Sequence, residues 1–114
     1  INAMESKNIN LKKIQELCKE HKIRWTRHIL TRLIQRGISQ TDIENAIMNG
    51  RIIEQYADDY PVPSCLILGK TEANRSLHIC CSSNEEYIWM ITAYYPSSEN
   101  WNENFDTRKK KGGL

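Results

Sequence analysis

The chain has 114 residues, of which 39% are hydrophobic and 26% charged. That composition suits one small folded domain and excludes a disordered, charge-dominated polymer. The formal charge of +2 and a sequence pI near 8.4 are only weakly basic, so affinity for nucleic acid has to come from where Lys and Arg sit. There is no repeat, and no run approaches the roughly 20 apolar residues of a membrane helix, so no membrane association and a cytoplasmic location are expected. Ile1-Asn2-Ala3 ahead of Met4 reads as a short remnant before the native start. Residues 4–107 read as a single α+β domain, and 108–114, opening with Arg108-Lys109-Lys110-Lys111, as a basic flexible tail.

Between about Asn8 and His21, Leu11, Ile14, Leu17 and Cys18 recur at helical spacing and predict a first amphipathic helix. Thr26 is a suitable N-cap for a second, with Trp25 and Leu30 as a hydrophobic staple and Gly37 as its stop. On this helix Ile29, Leu30, Leu33 and Ile34 form an apolar stripe, and His28, Arg32 and Arg36 form a cationic row beside it. Ser39-Gln40-Thr41-Asp42 resembles a capping box opening a third helix that ends at Gly50. From Arg51 onward the pattern becomes β-like: Ile52 to Tyr56, Cys65 to Leu68, Leu77 to Cys81 and Tyr87 to Tyr95 read as four strands joined by short hairpin connections. The expected fold is α+β, with N-terminal helices packed on a four-stranded, mainly antiparallel sheet. Alternation puts His78 and Cys80 on one face of their strand. It also groups Ile88, Met90, Thr92 and Tyr94 against Trp89, Ile91, Ala93 and Tyr95. Cys18, Cys65, Cys80 and Cys81 lack metal-ligand or disulfide spacing and read as packing residues.

The segments Trp25-Thr26-Arg27-His28 with Arg32 and Arg36, Gly50-Arg51-Ile52-Ile53-Glu54-Gln55-Tyr56, Asp59-Tyr60-Pro61, Pro63 to Gly69, Leu77-His78 and Ile91-Thr92-Ala93-Tyr94 occur in this order. Together they resemble the bacterial family called domain of unknown function 4258, from about Trp25 to Trp101. That family is in turn similar in layout to small RelE-like and MqsR-like toxins, in which helices pack in two layers on a curved sheet and RNA is cut on the open face. The resemblance implies a toxin-like endoribonuclease of the mRNA interferase type, acting on single-stranded RNA without metal or other cofactor. It also implies a small zinc-finger antitoxin of the MqsA kind as partner, the chain itself being a monomer or weak homodimer.

Internal cleavage of RNA needs a base for the 2′-hydroxyl, cations for the phosphorane and an acid for the 5′-oxygen. The candidate catalytic set is His28, Arg32, Arg36, His78 and Tyr94, with Glu54, Tyr56 and Thr92 in support and Arg32 and Arg36 binding RNA. Two other readings use the same residues. One is a non-catalytic module binding RNA or an acidic protein segment; the other is a structural domain in which Arg32 and Arg36 only pair with Glu54 or Asp59.

Overall fold

The computed structural model describes residues 8–110. Its elements are α1 (Leu11–Lys19), β1 (Ile23–Arg24), α2 (Arg27–Arg36), α3 (Gln40–Asn49), β2 (Arg51–Tyr56), β3 (Ser64–Lys70), β4 (Ser76–Ser83) and β5 (Ile88–Tyr94). The helix limits follow their caps. The Asn10 side chain accepts from the Lys13 N–H and that of Thr26 from the Ile29 N–H, while Ser39 and Asp42 close a reciprocal capping box. Gly37 ends α2 in the left-handed region (φ 68°), where a side chain is disfavoured.

Among the described residues the architecture is α+β, with three helices and a five-stranded mixed sheet in the order β1-β5-β4-β3-β2. The expected four strands form an antiparallel meander, β2 to β5. The fifth, β1, is two residues long and pairs in parallel with β5 (Ile23↔Ile88, Arg24↔Trp89). So short a strand inside a helix–helix connection leaves no period in the sequence to detect.

One apolar cluster fills the space between helices and sheet, built on residues such as Ile14, Ile43, Ile47, Ile67, Ile79 and Ile88. Buried Ile29 and Leu33 bring α2 into it, but Ile34, expected in the same stripe, is 81% exposed. The 3.6-residue period turns Ile34 off the buried arc that Leu33 occupies. The strand Cys65-Leu66-Ile67 is buried on both faces, as a central strand should be.

The alternation expected for β5 is corrected by a register shift. Cys80 pairs with Thr92 while the next residue, Cys81, pairs with Met90, so Ile91 is the extra residue of a bulge. Ile88, Met90 and Ala93 therefore face the helices, whereas Trp89, Thr92 and Tyr94 share the opposite face with Ser82, Cys80 and His78. A second shift between Ile52 and Glu54 puts Glu54 and Tyr56 on that same face, opposite Leu66 and Ser64.

Candidate functional site

The face turned away from the helices is crossed by the segment after β5. Trp101 and Arg108 form an isolated antiparallel bridge, and the intervening turn lays Phe105 and Asp106 against the sheet. Arg108, read from sequence as the start of the tail, is held there; residues 111–114 lie outside the described residues.

His78 sits at the centre of this contact, fully buried. Its Nε2 lies 2.7 Å from the Phe105 carbonyl oxygen, which can only accept, so Nε2 carries the proton. Nδ1 of the neutral ring then accepts from the Tyr94 hydroxyl at 3.2 Å. Trp101 meets the imidazole edge-on at 4.4 Å between ring centroids, and Tyr94 does so at 5.3 Å. Burial pushes the imidazole below its ordinary pKa, although the Phe105 carbonyl and Glu54 oppose the shift.

This has a consequence in acid. The unfolded ring takes up a proton near pH 6.5 and the folded ring only at lower pH. Between those values the unfolded state binds more protons, so stability falls as pH drops through that window. Urea midpoints should therefore decline from just below pH 6.5, before the carboxylates titrate, and a flat profile down to pH 5 would contradict a neutral buried His78.

On the neighbouring strands, Glu54 and Tyr56 are joined by a hydrogen bond, and Arg108 grips Glu54 through Nε (2.9 Å) and Nη2 (3.2 Å). Burial alone would raise the Glu54 pKa, but the bonds from Arg108 and Tyr56 hold it below the usual carboxylate range. Burial and the bond to Glu54 push the Tyr56 phenol up to about 12. Arg108 also lies 4.7 Å over the Trp101 ring, and Arg51 bonds Asp106 at 2.8 Å. The crossing segment is thus fastened to β2 at two points and to β4 through His78.

The cationic row of α2 is divided. Arg36 Nη1 donates to Thr92 Oγ1 (3.1 Å) and to the Ala93 carbonyl (2.7 Å), which places it at the rim of the His78 face. Arg32 and His28 are exposed one and two turns earlier, with no hydrogen bond or ion pair among the described residues. Neither arginine pairs with Glu54 or Asp59: Glu54 belongs to Arg108, and Asp59 accepts from the Ser64 hydroxyl at 2.6 Å. The structure therefore brings together His78, Tyr94, Thr92, Arg36, Glu54 and Tyr56, and leaves His28 and Arg32 apart from them.

Beside Tyr94 opens a cleft of about 670 Å³ lined by Tyr94, Glu99, Asn100, Trp101 and the cations Arg108, Lys109 and Lys110. Glu99, Trp101 and Arg108 were absent from the sequence-based set. Their one signal was composition, an aromatic and a carboxylate leading into a basic run, without the period that marks an element.

Fold and site together define a small α+β domain whose sheet face turned away from the helices buries His78 under the crossing segment and sets Tyr94 beside a cation-lined cleft. The chain belongs to the family described as domain of unknown function, DUF4258, whose model matches residues 25–95. No curated protein and no solved structure matches the chain.

Proposed function

We propose that the protein is a toxin-like endoribonuclease with RelE-like two-layer packing, cutting single-stranded RNA in the cleft beside Tyr94 without a metal. The observation that carries this reading is the meeting of an acid, a carboxylate and three cations in one cleft. In the proposed step the 2′-hydroxyl proton passes to Glu99 as the 2′-oxygen attacks phosphorus. The bond from phosphorus to the 5′-oxygen breaks, and that oxygen takes the Tyr94 proton as the hydroxyl turns from His78 Nδ1 to the leaving group, leaving a 2′,3′-cyclic phosphate and a 5′-hydroxyl. The proton on Glu99 then restores the phenol. Burial raises the Tyr94 pKa, which keeps the phenol protonated at neutral pH. Arg108, Lys109 and Lys110 offset the charge on phosphorus, while the row of His28, Arg32 and Arg36 steers the flanking strand. His78 has both ring nitrogens occupied, so its part is to position the Tyr94 hydroxyl. A small zinc-finger antitoxin is the proposed neutralising partner, acting in the cytoplasm by covering the same face.

The burial of His78 favours a second reading, a non-catalytic module that binds RNA in the same cleft. Labelled single-stranded RNA incubated with the purified protein in EDTA separates the two. Cleavage by wild type, lowered on the order of a hundredfold by Tyr94→Phe and by Glu99→Gln with binding retained, is the expected result. Binding without any cleavage by wild type would give the second reading.

A further inference from the structure

The helix-free face continues past the bulge at Ile91 into a region that the cleft does not use. Trp89 stands there 44% exposed, with Val62 at 50%, although a tryptophan in a five-stranded sheet is a costly residue to leave wet. Its neighbours are arranged around it. Arg24, in register with Trp89 on β1, lies 4.0 Å over the Tyr87 ring and 5.8 Å from the Trp89 centroid, and the two rings meet at 67°. A depression of about 570 Å³ between Trp89, Val62, Pro63 and Ser82 opens at this platform.

We infer that Arg24, Tyr87 and Trp89 form a stacking subsite for an unpaired nucleobase of the same RNA strand whose phosphate occupies the Tyr94 cleft. This rests on the RNA reading proposed above. Three observations carry it. The platform offers a half-exposed ring and a guanidinium, the two surfaces on which bases stack. The guanidinium is held by the rings and has no carboxylate partner among the described residues, so it remains available to a ligand. Trp89 and Tyr94 also lie on one face of one strand; their partners Ser82 and His78 are four positions apart on β4, because the bulge at Ile91 adds no rung, which is about 13 Å at roughly 3.3 Å per residue. A single strand can span that distance, whereas a rigid duplex would keep its bases paired and out of reach of the ring. The strand would run along β5 from the cations of the C-terminal segment to the aromatics beside β1.

The test uses the full chain, a labelled oligouridylate of about ten nucleotides and a duplex of the same length. Wild type is expected to bind the single strand more tightly than the duplex. Trp89→Leu, which keeps an apolar side chain but removes the ring system, should weaken single-strand binding about tenfold or more, and Trp89→Phe should retain it within about threefold. Oligouridylate should quench wild-type tryptophan fluorescence, and Trp89→Phe should remove that quenching while the other two tryptophans still emit. Unchanged single-strand affinity in Trp89→Leu, with wild type binding, would overturn the subsite and leave the RNA reading standing. Wild type that binds neither oligonucleotide would overturn both, and would turn the exposed Trp89 towards a protein partner.

Discussion

Replacing His78 by alanine is expected to cost the fold about 3–5 kcal/mol, read as a lowered urea midpoint. The loss has two sources. A fully buried ring leaves a cavity against Trp101 and Tyr94, and two partly buried polar groups, the Phe105 carbonyl and the Tyr94 hydroxyl, lose their partner. His78→Gln should recover part of this, because an amide can donate to Phe105 and accept from Tyr94. A loss below about 1 kcal/mol for the alanine variant would mean that the C-terminal segment does not close over the ring. The same expectation governs assays: loss of activity in His78→Ala would report unfolding, which is why Tyr94→Phe and Glu99→Gln are the informative variants.

Gly69→Ala is expected to be at least as damaging, by about 3 kcal/mol or more. A Cβ at Gly69 would lie 2.0 Å from the Ala46 carbonyl oxygen and 2.6 Å from its carbon. The obstacle is the backbone of α3, which cannot swing aside as a side chain would, so either the helix lifts from β3 or the strand buckles. Gly50 makes the same approach from the end of α3, with 2.4 Å to that oxygen. Thermal unfolding of Gly69→Ala against Gly37→Ala separates close approach from backbone conformation. Nothing lies within 4 Å of a Cβ at Gly37, so only its positive φ resists substitution there, at about 1 kcal/mol. Equal losses in the two variants would contradict the tight seating of α3.

What could be read from the sequence was what is local or periodic. Thr26, Gly37 and the Ser39–Asp42 box mark helix ends because capping is settled within four residues. The meander followed from apolar runs separated by short polar links. Alternation alone could not place Trp89, since a single extra residue at Ile91 inverts every assignment before it. Thr92 and Tyr94 were correctly grouped because both lie beyond that bulge, where Tyr94 meets His78. The burial of His78 was invisible, since it depends on residues 101–108, an irregular stretch whose partners on β2 lie some 54 positions away. The cationic row of α2 was legible as a row; that only Arg36 reaches the sheet depends on how α2 is laid across β5.

The crossing segment bears on how the chain comes into being. It is made after every strand it touches, and its pairings with β2 are long-range, so it is the part of this sheet whose closure comes last. Until Trp101 and Phe105 have emerged, the imidazole of His78 and the carboxylate of Glu54 stand open to water on a nascent meander, each free to take its ordinary protonation state. A chain truncated after residue 100 would therefore present a meander with a wet, unsealed face, and residues 101–108 convert that surface into the dry contact around His78.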